Sequence, residues 1–365
     1  MSVDTKPSAK VLSGRVTIGD VAEALGVAKG TVSRALNNYP DISEATRQRV
    51  RRTAEAMGYR PLAQAQAIRT GRSRAIGLVL QTDVPGAQRP FLSDFLAGVS
   101  KAASEASWTL TVAVSGGGAE MLTTMERLFD ERKADGFIVP RTYAQDARAK
   151  LLRQRGVPFV LYGRLQDIGD SAWFDILGED AMREAVARLA GLGHQRIAFV
   201  NGGKEYNFSQ LREDGFRSGM DAAGLAVDEA LVLDGAMTTE AGAKATHNLL
   251  GIDVPPTAIV FAVDMAALGA FPAALDLNLQ IGRDLSVISY DGIPECAWTR
   301  PPLTTFRVDN KKAGAKLAEL LIRAVRGEPS ETLRESAHAT LWPGGSDRSP
   351  RRTSADLARY IRAGQ

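Results

Sequence analysis

Hydrogen-bond donors that could contact DNA are concentrated in one stretch near the N-terminus, TIGDVAEALGVAKGTVSRAL, residues 17–36. Thr31, Ser33 and Arg34 stand in its second half, where a short helix would present them on its exposed side. Hydroxyl and guanidinium groups of this kind bind phosphate oxygens and base edges. The stretch therefore carries groups suited to nucleic-acid recognition.

Two short helices have to position these groups. The apolar residues of the stretch repeat at helical spacing on two faces, Ile18, Val21, Ala22 and Leu25 on the first and Val32, Ala35 and Leu36 on the second. Gly26 supplies the turn between them, and Asp20 can cap the first helix. We interpret the stretch as a helix-turn-helix, although the same spacing also occurs in ordinary helical hairpins.

Charge separates these two interpretations. Residues 1–74 hold 13 Lys and Arg against 6 Asp and Glu, a balance of +7, whereas the whole chain carries only +3. The positive potential therefore surrounds the two-helix element, as expected of a module that neutralises a phosphate backbone. This favours DNA binding over a solvated basic face.

Length and composition limit the class of protein. With 365 residues, 44% of them hydrophobic, the chain suits a small module followed by a larger one. It has no apolar run long enough to span a membrane, and its first residues do not resemble a signal peptide. Cys296 is the only cysteine, which agrees with a reducing compartment. We expect a cytoplasmic protein with no membrane association.

The remainder of the basic module also shows helical patterns. Ser43 and Thr46 open a third helix with Val50, Ala54 and Met57 on one face, and Gly58 ends it. Residues 62–74 are short and rich in Ala and Gln, so an isolated helix there would be marginal. The segment is either a flexible linker or a helix that folds when two copies meet on DNA.

From Ala75 onward, short apolar runs alternate with amphipathic helical patterns. This alternation is typical of parallel sheets covered by helices on both faces. About nine strands over about 270 residues suit two lobes better than one. Ligands of open sheets bind beyond the carboxyl ends of the strands, so the loops there are the place to look for a site.

Motifs along the whole chain resemble one known family. In order stand TIGDVAEALGVAKGTVSRALNN, ISEATRQRV, MGYRP, LGHQRIAFVNG, RxxGF at 212–216, DMAALGA and LSVISYDG. Together they are similar to the lactose/galactose repressor family of bacterial transcription regulators over about residues 16–345. The resemblance implies a homodimer in which a small effector, often a sugar, binds between two lobes and changes the affinity for an operator.

The alternating pattern and the family resemblance together predict the architecture of the chain. The expected fold class is α/β, with a small all-α helix-turn-helix headpiece and a two-lobed core with parallel sheets, and the resemblance implies that this core is periplasmic-binding-protein-like. The expected limits are 1–15 for a disordered arm, 16–60 for the DNA-binding domain, 61–74 for the hinge, 75–345 for the core and 346–365 for a C-terminal tail. Within the core we expect one lobe from 75–162 plus 291–325 and the other from 163–290.

The resemblance also assigns DNA-binding residues. Base readers fall on Lys29 and Gly30, with Arg34 one turn later; Lys29 would favour guanine, whereas Gly30 permits close approach. The position that wedges into the central base step is Ile68, which is apolar but stiff. Phosphate contacts fall on Thr17, Thr31, Ser33, Asn37, Ser43 and Tyr59.

In the core, the resemblance places sugar-hydroxyl contacts on Arg212 and Asp291. Two further polar positions of the family are occupied by Val263, before Asp264, and by Val308. Asp264 itself is a further expected effector contact. Other side chains that could line the cleft, each as readily explained by ordinary packing or surface placement, are Gln81, Asp83, Phe91, Arg164, Trp173 and Phe208.

No pattern indicates an enzyme. No Ser/His/Asp or paired-carboxylate spacing stands out, and the three histidines are too scattered for a metal site, so we expect no cofactor. We predict a repressor of carbohydrate-utilisation genes that binds double-stranded DNA at a pseudo-palindromic operator under control of a sugar. The alternatives are a co-repressor-dependent regulator with a non-sugar effector, and a solute-binding receptor.

Overall fold

The computed structural model describes residues 16–60, 71–81, 89–166 and 169–364, and only the backbone of residues 89–91. The predicted arm at 1–15, Ile68 and Asp83 lie outside these residues. Internal contacts divide the chain into two units, with the boundary between Ser73 and Arg74. In the described part, no helix is long and apolar enough to cross a membrane.

The headpiece consists of α1 (Ile18–Leu25), α2 (Lys29–Leu36) and α3 (Glu44–Ala56). These helices pack around Val21, Val32 and Val50, which are fully buried. The turn between α1 and α2 needs the left-handed backbone of Gly26, with φ of 64°, where a glycine has no steric cost. The predicted helix-turn-helix is therefore present.

The cap of α1 differs from the one expected. Thr17, not Asp20, is the N-cap, and its hydroxyl accepts a hydrogen bond from the Asp20 amide at 3.4 Å. The Asp20 carboxylate accepts from the Thr17 amide at 2.7 Å, which completes a reciprocal capping box. Ser43 caps α3 as predicted, because its hydroxyl accepts from the Thr46 amide at 3.3 Å.

The core strands follow in chain order. They are β1 (Ala75–Gln81), β2 (Thr109–Ser115), β3 (Gly136–Pro140), β4 (Phe159–Tyr162), β5 (Ala172–Ile176), β6 (Ile197–Val200), β7 (Val232–Leu233), β8 (Ala258–Phe261), β9 (Ser286–Asp291), β10 (Thr304–Arg307), β11 (Arg334–Ala337) and β12 (Thr340–Trp342). They form two sheets, ordered β11-β5-β4-β3-β1-β2 and β12-β10-β9-β8-β6-β7. Every pairing is parallel except that of β10 with β12.

Helices cover both faces of each sheet. They are α4 (Arg89–Glu105), α5 (Gly118–Asp130), α6 (Ala147–Gln154), α7 (Gly178–Gly191), α8 (Asn207–Ala222), α9 (Thr239–Leu250), α10 (Asp264–Leu268), α11 (Ala270–Asp276), α12 (Asn310–Val325) and α13 (Ser354–Ala363). The first sheet packs against α4 and α12 on one face and α5 and α6 on the other. The second packs against α7 and α8 on one face and α9, α10, α11 and α13 on the other. The predicted fold class is confirmed.

The lobe limits differ from those expected. β5 pairs with β4 in the first sheet, although residues 163–290 were assigned to the second lobe. β10 pairs with β9 in the second sheet, although residues 291–325 were assigned to the first. Hydrogen bonding between strands, rather than the long apolar runs, sets these limits. The chain crosses between lobes at 176–178, 307–310 and 337–340.

Of the predicted tail at 346–365, residues 346–364 pack onto the second lobe. Leu357 and Ile361 of α13 are buried in its core, which explains their spacing on one helix face. The Asp347 carboxylate is buried, accepts from the Thr304 hydroxyl at 2.5 Å and pairs with Arg188. Arg352 pairs with the buried carboxylate of Asp284. This C-terminal segment is therefore part of the fold of the lobe.

Candidate functional site

The predicted base-reading residues stand at the start of α2. Lys29 and Gly30 are its first two residues, and both are exposed. Ala28 precedes them as N-cap without a side-chain hydrogen bond, so it provides no hydroxyl or amide there. Lys29 is thus placed at a helix N-terminus, where it adds charge to backbone amides that favour anions.

Arg34 is exposed one turn later but is not free. Its guanidinium forms an ion pair with Asp41, and its Cζ lies 5.5 Å from the centroid of the Tyr39 ring. Exposed ion pairs are weak. Arg34 can therefore exchange Asp41 for a phosphate or a base at small cost.

The predicted phosphate contacts are placed along the three helices. Thr17 and Ser43 are exposed N-caps of α1 and α3, whereas Thr31 and Ser33 on α2 are half-buried. Asn37 is the C-cap of α2, and its side-chain Nδ2 donates to the Ser33 carbonyl at 2.7 Å. Tyr59 packs against the headpiece core. Their contacts with DNA stay predictions.

The core contains a cavity of about 420 Å³ between its two lobes. Residues at or just after the carboxyl ends of β3, β4, β5, β8, β9 and β10 line it, as expected for ligand sites of parallel sheets. Four sequence-predicted residues are among the lining residues: Arg164, Phe208, Arg212 and Asp291.

The Arg212 guanidinium is held by two aromatic rings and a backbone carbonyl. Its Cζ lies 4.6 Å from the centroid of the Phe208 ring and 4.0 Å from that of Tyr290. Nη1 donates to the Ala262 carbonyl at 2.5 Å, whereas Nε has no hydrogen-bond partner among the described residues. A Cβ at Gly178 would lie 3.0 Å from Nε, so the glycine makes room for this arrangement.

Asp291 is the carboxylate closest to that guanidinium. Its Oδ1 lies 3.9 Å from Arg212 Nη2, and about a third of its side chain is exposed, facing the cavity. Burial raises the pKa of Asp291 to about 7, against the opposing effect of Arg212. Near neutral pH this group can therefore accept or donate a hydrogen bond. Its φ of 126° is unusual for a residue with a side chain.

Arg164 is engaged by two carboxylates. Nε donates to Asp175 Oδ2 at 2.6 Å, and Nη2 donates to Glu179 Oε1 at 2.5 Å. Its Cζ lies 6.0 Å from the centroid of Trp173. Burial raises the pKa of Asp175, while Arg164 lowers it. Arg164 thus lines the cavity with its charge already compensated.

Asp264 does not line the cavity, contrary to expectation. It is fully buried, and its carboxylate accepts hydrogen bonds from the hydroxyls of Ser289 and Thr305 and from the amides of Gly292 and Ile293. Four donors satisfy a buried carboxylate. Asp264 therefore fixes the loop after β9, next to Asp291.

Two other predicted residues also lie outside the cavity wall. Gln81 ends β1 and accepts a hydrogen bond from the Tyr143 hydroxyl at 2.9 Å. Trp173 packs against the first-lobe core and lies beneath Arg164. The side chain of Phe91, like Asp83, lies outside the described residues.

The sequence interpretation missed several polar lining residues. Arg141, Thr142, Asp175, Tyr290 and Asn310 line the cavity, as does Tyr162, whose hydroxyl donates to Asn310 Oδ1 at 3.1 Å. Arg141 directly follows an apolar run and Tyr162 ends another, so the carboxyl-end rule could have indicated both. Val263 and Val308, noted as lost polar positions, do line the cavity. Asn310 provides an amide two residues after Val308.

Comparisons with known proteins cover both units. Residues 17–61 match the model of bacterial regulatory proteins of the lacI family, and residues 186–346 match a periplasmic binding protein-like domain. The chain is 34% identical over 348 residues to the HTH-type transcriptional regulator AglR of Rhizobium meliloti, covering 92% of this chain and 96% of AglR.

Solved structures extend the similarity. A complex of the transcriptional regulator CelR with cellobiose is 28% identical, with a TM-score of 0.69 over 91% of this chain and 100% of CelR. The lac repressor dimer bound to operator and the anti-inducer ONPF is 25% identical, with a TM-score of 0.75 over 92% of this chain and 100% of the repressor chain. The chain therefore belongs to the lacI family of bacterial regulatory proteins and is a DNA-binding transcription regulator, not an enzyme.

Proposed function

We propose that this regulator represses carbohydrate-utilisation genes and that a sugar bound in the core cavity releases it from its operator. Arg212 beside Asp291 carries the proposal, because guanidinium donors next to a carboxyl group suit adjacent sugar hydroxyls. The related CelR structure holds cellobiose, which supports a sugar as the class of ligand.

The headpiece would read the operator through α2. Lys29 and Arg34 supply donors to guanine, while Thr17, Thr31, Ser33, Asn37, Ser43 and Tyr59 would bind phosphates and position the helix. Gly30 lets the backbone approach, and Ile68 would wedge into the central base step. Because only two long side chains, Lys29 and Arg34, would contact base edges, the sequence-dependent shape of the operator would supply much of the specificity.

A homodimer would place two headpieces on a pseudo-palindromic site. The related lac repressor structure is a dimer bound to operator. In the described part of this chain, β2 is an edge strand whose Val112 and Val114 are 43% and 60% exposed. Apolar side chains on an unpaired edge favour contact with another chain. We assign this face to the dimer, and Val114→Glu should yield monomers in sedimentation velocity.

Arg212→Ala tests the ligand site. Operator binding is measured by fluorescence anisotropy with an operator selected in vitro, in a series of cellobiose, maltose, melibiose and raffinose. The wild type should lose operator affinity with at least one sugar, and Arg212→Ala should bind the operator but not respond. Arg217→Ala, on the same helix and paired with Glu229, is the matched control.

The outcomes separate the possible mechanisms. A sugar that strengthens operator binding would replace release with co-repression, because a ligand shifts an equilibrium towards the state that it binds better. An undiminished sugar response of Arg212→Ala would place the ligand elsewhere.

A further inference from the structure

The guanidinium of Arg164, at the wall of the cavity, binds two carboxylates. Asp175 lies in β5 and Glu179 in the first turn of α7, and both accept hydrogen bonds from the same guanidinium at 2.6 and 2.5 Å. The side chains of all three are at most 21% exposed. Glu179 Oε2 has no hydrogen-bond partner in the described part of the chain. Two negative charges thus surround one positive charge.

The other charges at the cavity do not restore a positive excess. Among the described lining residues, the guanidinium groups are those of Arg141, Arg164 and Arg212, and the carboxyl groups are those of Asp94, Asp175 and Asp291. Glu179 adds a further carboxylate through Arg164. Three guanidinium groups against four carboxyl groups give a net charge of −1 when every carboxyl group is ionised, and the set is neutral when Asp291 alone carries a proton.

The net charge of these groups determines whether the cavity can bind a charged ligand. A phosphate or carboxylate loses its hydration in a closed cavity and needs a cation whose donors are available. Arg164 gives its donors to two carboxylates, and Arg212 lies beside the Asp291 carboxyl group, with Nη2 3.9 Å from Oδ1. An anionic ligand would therefore meet carboxylates at close range, where charge repulsion is strong. A hydroxyl group has no such cost.

We propose that Asp175 and Glu179 make the cavity select uncharged polyhydroxylated ligands and exclude phosphorylated or acidic sugars, because they occupy Arg164. This inference rests on the proposed function, since it takes the cavity as the effector site. It names two specificity-determining residues, of which Glu179 acts through Arg164 without lining the cavity itself.

Removing the excess charge tests the proposal. Glu179→Gln keeps the shape and an acceptor oxygen for Arg164 but removes one negative charge, and the double variant with Asp175→Asn removes two. The full-length protein is titrated calorimetrically with inorganic phosphate, glucose 6-phosphate and glucuronate, and with the four neutral sugars used above. Glu184→Gln, an exposed residue on the same helix, is the control for a change in overall charge.

The wild type should bind a neutral sugar and none of the three anions. Glu179→Gln should gain about tenfold or more in affinity for at least one anion, given the size of charge interactions at these distances. Glu184→Gln should gain nothing. If the double variant does not fold, as judged by circular dichroism, the single variant gives the answer.

Two results would overturn the selection. One is tighter binding of an anionic than of a neutral sugar by the wild type, and the other is no gain in anion affinity by a folded Glu179→Gln. Failure of the proposed function is distinguishable, because no neutral sugar would then bind the wild type. The phosphate titrations of the variants would still decide the role of Glu179.

Discussion

Tyr143 and Tyr206 stack across the two lobes of the core, with ring centroids 5.2 Å apart and planes inclined by 22°. Backbone hydrogen bonds flank the rings, from the Ala144 amide to the Glu205 carbonyl and from the Asn207 amide to Thr142, both at 2.9 Å. We call this contact the tyrosine bridge.

The tyrosine bridge lies away from the covalent crossings between the lobes. Residues 142–144 follow β3 and residues 205–207 follow β6, whereas the chain crosses next to β5, β10, β11 and β12, at one edge of each sheet. A movement that opens the cavity about those crossings has to break the bridge. Phe208 stacks on Tyr206 at 5.3 Å and lines the cavity, so the bridge and the site share a wall.

Loss of the ring should loosen the bridge. Aromatic pairs contribute about 0.5–1.5 kcal/mol beyond their buried area, so Tyr206→Leu should speed hydrogen exchange of the Ala144 and Asn207 amides by about two- to tenfold. Exchange in β3 and β6 serves as the internal reference, and Tyr206→Phe keeps the ring as the matched control. Unchanged exchange at both bridge amides in Tyr206→Leu would contradict this role.

Asp291 should make stability fall as pH rises towards neutrality. Burial raises the pKa of Asp291 from 3.8 to about 7, so the native state keeps a proton that the unfolded chain has released. Between these values the unfolded state binds fewer protons, and stability decreases with rising pH. Asp291→Asn has no carboxyl group to titrate and therefore lacks this penalty.

The melting temperature of Asp291→Asn relative to the wild type should therefore be higher at pH 8 than at pH 5. Asp221→Asn, an exposed carboxyl group at the end of α8, should show no such difference. If the difference in melting temperature between Asp291→Asn and the wild type is the same at pH 5 and pH 8, the pH dependence does not arise from the raised pKa of Asp291.

Arg34 and Asp41 should compete with DNA. Arg34→Ala should weaken operator binding by about 1–3 kcal/mol. Asp41→Asn frees Arg34 and should strengthen binding by up to about fivefold, since exposed ion pairs contribute about 0–1 kcal/mol. Anisotropy titrations at one fixed salt concentration measure both. In the Arg34→Ala background the gain from Asp41→Asn should shrink, and an equal gain there would show that the two side chains act independently.

Leu357 should stabilise the whole second lobe from the C-terminal segment. The side chain is fully buried, so Leu357→Ala should lower the free energy of unfolding by about 2–5 kcal/mol in urea titrations. Arg359→Ala on the exposed side of the same helix should change it by less than about 1 kcal/mol. Equal stability of Leu357→Ala and the wild type would mean that the segment adds nothing to the lobe.

Elements with a strong local sequence pattern could be predicted, whereas strands whose position depends on hydrogen bonds with other strands could not. The first of the apolar runs, which begins at Ala75, coincides with β1, because a strand buried on both faces is continuously apolar. β5 was missed because Trp173 and Asp175 alternate with buried residues and interrupt the apolar pattern. Its place depends on hydrogen bonds with β4 and β11, which no local pattern records.

In the candidate site, too, residues in recognisable motifs were predicted, whereas residues whose role depends on distant parts of the chain were not. Arg212 and Asp291 were identified through motifs, and both line the cavity. Asp264 was expected beside them, but four donors from distant parts of the chain bury it beneath the loop. Asn310 was missed because its role arises only when the two lobes face each other, whereas the position of Arg141 after an apolar run could have indicated it.

The crossings have a consequence for synthesis on the ribosome. The first lobe needs α12 and β11, and the second needs β12, so neither sheet is complete before residue 337 has been made. The headpiece, by contrast, has its full core once α3 has emerged. Nascent chains would therefore carry a folded DNA-binding unit ahead of unfinished lobes, whose strand edges need protection from aggregation.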